Sequence, residues 1–133
     1  MKDMFAFAEQ AVSIDIKSST WRGVSGETPS GVEVAEHLVE TSRYVQRVIW
    51  EGTFSHDLLD AFRAVRAEGV GDEDTQSVGR DLMSQILAVH LSGWVDVDAW
   101  AGKPGRDWTD VLYLVLAAAD LARTYGPAKA VTS

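Results

Sequence analysis

The chain has 133 residues, 46% of them hydrophobic, which is enough for one globular domain with a core and too little for two. It has no cysteine, which excludes disulfides, thiolate nucleophiles and cysteine-type zinc sites and is typical of proteins in the reducing cytoplasm. The formal net charge of −8 disfavours direct binding to nucleic acid or to an anionic membrane and favours a basic protein partner, although acidic residues also serve solubility.

The N-terminal segment carries two competing patterns. Asp3 is a suitable N-cap for a helix with an apolar face, but residues 12–17 alternate between apolar and polar side chains, as β-strands do. We predict a helix from Asp3 with an extended tail that ends near Ile16, and a strand is the alternative. Asp3 and Glu9 interrupt the apolar run that an export signal would need. Residues 18–31 contain three glycines and four serines, which predicts a long loop.

Three segments in the middle of the chain repeat apolar side chains with the period of an amphipathic helix. They cover residues 32–50, 56–68 and 73–92, and each is soon followed by glycine, which favours a helix end. The first has an apolar face that consists of Val34, Leu38, Val45 and Ile49. Ser55 is the predicted N-cap of the second, and the short glycine-containing turns make neighbouring helices antiparallel.

The C-terminal third begins with a connector from Trp94 to Arg106. It ends in glycine and proline residues, and one short helical turn is expected after Asp96 or Asp98. A further helix is predicted from Trp108 to about Tyr125, with Asp107 as its cap. This helix is apolar on nearly all sides, which is typical of a helix in the middle of a bundle.

Together these segments predict an all-α fold, a compact bundle of four to five helices with the apolar C-terminal helix at its centre. The longest apolar run covers residues 111–119, whereas a membrane-spanning helix needs about 20 apolar residues, so we expect no membrane association. The predicted domain covers residues 1–126. Residues 127–133 are predicted to be a disordered tail.

The first of the three central helices has an acidic face, on which Glu33, Glu36 and Glu40 are spaced three and four residues apart. Carboxylates at this spacing can share a divalent cation. Glu33 and Glu36, taken with Asp81 on a later helix, resemble the paired acidic helices of the MazG-type nucleotide pyrophosphohydrolases, which hold magnesium between them. The resemblance implies a magnesium-dependent, all-α nucleoside triphosphate pyrophosphohydrolase, although Val78 stands where that family has its second glutamate.

The competing interpretation of these carboxylates is a solvated charged face. On a helical wheel the glutamates and Asp81 each lie opposite the apolar face of their own helix, so they point to solvent. Glu40 also has a local partner in Arg43, three residues on. We therefore predict no metal site and no cofactor, and a non-enzymatic protein with the hydrolase as the alternative.

The three histidines complete no catalytic or metal-binding motif. His90 lies near the centre of an apolar helix face, which predicts a buried, hydrogen-bonded core histidine. His37 and His56 are predicted to be exposed. We assign no catalytic residue from the sequence.

The connector and the start of the last helix contain three of the five tryptophans, interleaved with aspartates. Tryptophan is enriched at interaction hot spots, and neighbouring carboxylates favour a basic partner. The predicted partner-binding residues are Trp94, Asp96, Asp98, Trp100 and Trp108. The alternative interpretation is that the tryptophans close one end of the bundle over the core and the aspartates cap a short helix.

The leading hypothesis from the sequence is a small, acidic, non-enzymatic protein-interaction module: an adaptor, an inhibitor or a regulatory subunit. It would bind a basic surface of a protein partner in the cytoplasm. Pairing into a homodimer through an apolar stripe is a further hypothesis, because small helical bundles often associate in this way.

Overall fold

A computed structural model of the chain describes residues 3–13 and 18–128. Within these ranges all regular secondary structure is helical, which confirms the predicted all-α fold. The elements are α1 Asp3–Ser13, a 3-10 helix Ser18–Trp21, α2 Gly31–Glu51, α3 Leu58–Ala67, α4 Glu73–Leu91, α5 Val97–Ala101 and α6 Trp108–Tyr125. The described helices exceed the predicted four to five because α5, the short turn expected in the connector, forms a helix of its own. The 3-10 helix lies inside the predicted long loop.

The C-terminal helix α6 lies at the centre of the bundle, as predicted. It packs against α1, α2 and α4, so it needs apolar side chains on nearly every side. Its buried residues are Val111, Leu114, Val115, Ala117, Ala118, Ala119, Leu121 and Ala122. Half of them are alanines, whose small side chains let neighbouring helices approach closely. In the part of the chain that the structure describes, no helix is both long and apolar enough to cross a membrane.

The start of α2 and the end of α6 meet in a close backbone contact. The Gly31 N–H donates a hydrogen bond to the Pro127 carbonyl oxygen at 2.9 Å. A Cβ atom on Gly31 would overlap the Ala122 carbonyl oxygen and lie 2.8 Å from the Gly126 Cα atom. The contact makes α2 and α6 antiparallel and includes Pro127, the first residue of the predicted tail. Residues 129–133 lie outside the described ranges.

The start of α3 differs from the prediction. Asp57, and not Ser55, is the N-cap, and its carboxylate accepts a hydrogen bond from the Leu59 N–H at 2.9 Å. His56 has a φ of 60°, a left-handed conformation that cannot continue into a helix, and α3 therefore begins only at Leu58. Asp107 is confirmed as the cap of α6, and of the two candidates for the short helix, Asp96 and Asp98, it is Asp96 that caps α5.

Several positions have a different burial from the predicted one, and Asp81, which the helical wheel places toward solvent, is half-buried. Ile49 is 44% exposed, because the neighbouring helices cover α2 only as far as Val48. His90 is only half-buried, with its ring 4.7 Å from that of Phe7 on α1. His37, predicted to be exposed, is fully buried. The predicted helix from Asp3 is confirmed, whereas its expected extended tail falls on residues 14–17, outside the described part of the chain.

Candidate functional site

Trp100, a predicted partner-binding residue, is part of the hydrophobic core. It lies on α5 and is only 8% exposed. The Arg106 guanidinium carbon lies 4.2 Å from the centre of its ring, and Arg106 Nε donates a hydrogen bond to the Trp100 carbonyl oxygen at 2.9 Å. Trp100 therefore closes the core under a cation–π contact, as the alternative interpretation held, and it has little surface left for a partner.

The two connector aspartates have different environments. Asp96 is exposed and caps α5, since its carboxylate accepts a hydrogen bond from the Ala99 N–H at 3.1 Å. Asp98 is half-buried and forms an ion pair with Arg80 of α4. Burial raises the pKa of the Asp98 carboxyl, and the positive charge of Arg80 acts against this rise. Asp98 therefore attaches α5 to α4, and only Asp96 faces solvent.

The two remaining tryptophans of the predicted set keep accessible surface. Trp94 is 67% exposed in the segment between α4 and α5. Trp108 is half-buried at the first position of α6, and its ring meets that of Phe54 edge to face at 4.6 Å. The His56 ring lies 6.3 Å from the Trp108 ring. The structure thus brings Phe54, His56 and Trp108 together at the turn between α2 and α3.

Trp50, which the sequence reasoning did not select, is the most exposed of the large hydrophobic side chains that the structure describes, at 91%. It stands beside Ile49 in the last turn of α2. Because α2 and α6 are antiparallel, this turn lies at the same end of the bundle as Trp108. A sequence signal existed, since at 100° per residue Trp50 falls about 160° away from Val34 on the apolar face. We call Ile49, Trp50, Phe54, His56 and Trp108 the aromatic end.

Acidic residues surround the aromatic end. The exposed ones that belong to the adjoining helix ends are Glu51, Asp57, Asp60, Asp96 and Asp107. α3 contacts α5, and the charge of Asp57 acts on Asp98, which places the α3 N-terminus beside the connector. Of the nearby basic residues, Arg80 lies 3.8 Å from Asp96 and Arg47 pairs with Glu68 at 3.3 Å. Arg106 covers Trp100, and Lys103 is exposed. The acidic residues of this surface outnumber the basic ones.

Three carboxylates of the hydrolase interpretation, Glu33, Glu36 and Glu40, lie on α2, and the fourth, Asp81, lies on α4. Glu33 is engaged in a capping box with Ser30, and Glu40 forms an ion pair with Arg43. Asp81 is half-buried on α4, where burial raises the pKa of its carboxyl and the charge of Arg80 opposes the rise. Among the residues described, no three histidine or acidic side chains are placed to hold one metal ion. The magnesium-dependent hydrolase stays a prediction of the sequence resemblance.

His37 of α2 holds the turn between α3 and α4. Its Nδ1 lies 3.1 Å from the Val70 carbonyl oxygen, so the Nδ1–H tautomer donates a hydrogen bond there. The Phe62 ring lies 5.6 Å from the imidazole, and Nε2 is buried with no hydrogen-bonding partner among the described residues. Burial lowers the pKa of His37, and Arg66 lowers it further, while the Val70 carbonyl and Asp72 act in the opposite direction.

The neutral state of His37 makes stability depend on pH. His37 takes up a proton more readily in the unfolded chain, where its pKa is near 6.5, than in the folded protein. We therefore expect the free energy of unfolding to fall as the pH is lowered below about 6.5, by up to about 1.4 kcal/mol per pH unit for this one proton. Urea unfolding followed by circular dichroism between pH 7.5 and 5.5 measures the slope.

His37→Asn isolates this contribution, because the asparagine amide can donate to the Val70 carbonyl oxygen but does not titrate. We expect the variant to show a smaller slope than the wild type. Asp81 and Asp98 act with the opposite sign, since their raised pKa values make protonation favour the folded state, and they are common to both proteins. Equal slopes in the wild type and His37→Asn would contradict the prediction.

The comparison with known families places most of the bundle in one sequence family. The model described as "Family of unknown function (DUF6197)" matches residues 29–121, from just before α2 to within the last two turns of α6. α1 lies outside the matched range although it packs against α4 and α6. No curated protein and no solved structure matches the chain.

Proposed function

Since this chain belongs to the family of unknown function DUF6197, we propose from its own surface that it is a non-enzymatic protein-interaction module, an adaptor, inhibitor or regulatory subunit acting in the cytoplasm. Its aromatic end binds a basic surface of a partner protein. The observation that carries the proposal is the 91% exposure of Trp50 next to the 44% exposure of Ile49. Trp94 and Asp96, from the set that the sequence suggested, are also exposed and are included in the proposed binding surface.

The exposed tryptophan is suited to binding because its burial is energetically favourable. A tryptophan side chain presents a large apolar area, and removing it from water contributes about 25 cal/mol per Å². Trp50 lies on a helix whose backbone is already ordered, so little conformational entropy is lost when a partner covers it. Tryptophans in such positions commonly contribute about 2 kcal/mol or more to binding.

The exposed acidic residues at the helix ends around the aromatic end, which we call the acidic rim, determine the kind of partner that can bind. Glu51, Asp57 and Asp60 leave the aromatic end negative, and the whole chain carries −8. A basic surface is therefore attracted over a distance, and the association rate should fall as salt is added. The same charge disfavours a homodimer through this end, because two acidic rims would face each other.

The partner surface is located by site-specific photo-crosslinking in the cell. A photoreactive amino acid at position 50 is compared with one at position 32, because Val32 is 51% exposed at the other end of the same helix. We expect a crosslinked partner protein at position 50 that is absent at position 32, with a basic segment at the crosslinked site. The same species at both positions, an acidic crosslinked segment, or a second copy of this chain would contradict the proposal.

Trp50→Ser is expected to weaken the purified complex about 30-fold, which corresponds to about 2 kcal/mol. Val32→Ser, at an apolar position of α2 that is 51% exposed, should leave the affinity unchanged. Isothermal titration calorimetry with the purified partner that the crosslinking identifies measures both affinities. Repeating the titration at increasing NaCl concentration tests the role of the acidic rim. An affinity that Trp50→Ser does not change would show that this end is not the binding surface.

A further inference from the structure

We propose that a cleft between α3 and α4 binds a small anion that carries a phosphate group. The cavity has a volume of about 380 Å³, within the range of small-molecule sites. Its polar lining consists of Arg63, Arg66, Glu73, Gln76, Ser77 and Arg80. Three arginines line this arginine cleft; Glu73 pairs with Arg66, and Asp98 and Asp96 pair with Arg80, which leaves Arg63 as the arginine of the lining with no ion pair to a described residue.

The pairing of α3 with α4 brings these arginines together. Arg63 and Arg66 are three residues apart and therefore share one face of α3. Arg66 Nη1 donates a hydrogen bond to Gln76 Oε1 of α4 at 2.8 Å. One turn further along α4 stands Arg80, so its guanidinium also reaches the cleft.

Much of the hydrogen-bonding capacity of these arginines is still available for a ligand. The Arg63 side chain is exposed, and no ion pair or hydrogen bond joins it to another residue that the structure describes. Arg66 lies 3.6 Å from Glu73, whose side chain is 72% exposed, so this pair is weak and open to competition. Arg80 is held in place by Asp98 and lies 3.8 Å from Asp96, so the free donors of the cleft are mainly those of Arg63 and Arg66.

The chemistry of the lining favours a phosphate. The planar guanidinium fork matches two oxygens of a tetrahedral oxyanion, and several forks together neutralise a group with more than one negative charge. The Ser77 hydroxyl supplies a further donor beside them. Val24 and Leu59 form an apolar wall of the cleft, which suits an organic phosphate with a small hydrophobic portion.

Titration of the full-length protein with inorganic pyrophosphate, in phosphate-free buffer at ionic strength matched with NaCl, tests the site. We expect saturable one-site binding by isothermal titration calorimetry, with shifts in the arginine Nε–Hε NMR signals of Arg63 and Arg66. Arg63→Gln should weaken binding about tenfold, the effect of losing one charge-assisted pair. Arg43→Gln, on α2 and outside the cleft, is the matched control and should bind as the wild type does.

Several results would overturn the proposal. Binding that does not saturate, or that falls equally in Arg63→Gln and Arg43→Gln, would reflect general charge screening rather than a site. Citrate that binds as tightly as pyrophosphate would overturn the assignment to phosphate. Because Arg63 is exposed, we expect Arg63→Gln to have the thermal unfolding curve of the wild type. Weaker binding by a fully folded variant is then attributable to the loss of the guanidinium group.

Discussion

Replacing Gly31 with alanine is expected to lower the free energy of unfolding by about 3 kcal/mol. The new Cβ would overlap the Ala122 carbonyl oxygen and lie 2.8 Å from the Gly126 Cα. Both are backbone atoms that no side-chain rotation can move, so α2 and α6 must separate at their crossing. Separation would also stretch the hydrogen bond from Gly31 N–H to the Pro127 carbonyl oxygen.

The sign of this effect distinguishes close packing from helix propensity. Gly31 is the first residue of α2, where alanine would otherwise stabilise the helix by up to about 1 kcal/mol. Gly93 is the control, because a Cβ there meets no atom within 4 Å and its φ is not positive. We expect Gly93→Ala to unfold at the urea concentration of the wild type or slightly above it. A stabilised Gly31→Ala variant would show that the two helices are not in contact at this point.

Replacing Phe62 with alanine is expected to lower the free energy of unfolding by about 3 to 5 kcal/mol. The Phe62 side chain is fully buried between α3 and the rest of the core, with the His37 ring 5.6 Å away. Its removal leaves a cavity between α3 and the core. The same helix carries Arg63 and Arg66, and its N-terminal residues Asp57 and Asp60 lie beside the aromatic end. Domains of this size are stable by only about 5 to 15 kcal/mol, so the loss is a large share of the total.

Phe5→Ala is the matched control for this change. Phe5 lies on α1 and is 38% exposed, so its truncation leaves no closed cavity and should cost less than about 1 kcal/mol. Urea unfolding followed by far-ultraviolet circular dichroism gives both values. If Phe62→Ala and Phe5→Ala lowered the free energy of unfolding by similar amounts, the Phe62 side chain would not be an essential part of the core.

The candidate surface was only partly readable from the sequence. Trp100 and Asp98 lie in the predicted stretch, but the fold places Trp100 in the core and pairs Asp98 with Arg80, eighteen residues earlier. Composition cannot separate a tryptophan that closes a core from one that meets a partner, because both occur at helix ends beside aspartates. Which tryptophan of the connector keeps accessible surface depends on where α5 packs against the bundle.

The histidines show the same limit. A helical wheel places His90 on an apolar face and His37 next to glutamates, yet His37 is buried and His90 half-buried. The decisive element is the α3–α4 turn, which crosses over α2 and supplies the Val70 carbonyl to the imidazole. A contact between residues thirty-three positions apart leaves no periodic trace within one helix.

The sequence by itself determined the helical class, the central place of α6 and most helix ends, because these follow from local rules: apolar periodicity, N-cap aspartates and terminating glycines. Only the tertiary structure decided which polar and aromatic groups are free. The burial of His37, the exposure of Trp50 and the grouping of three arginines between α3 and α4 each depend on which helix covers which face. Helix formation is governed by neighbours in the chain, whereas the accessible surface of a side chain is set by neighbours in space.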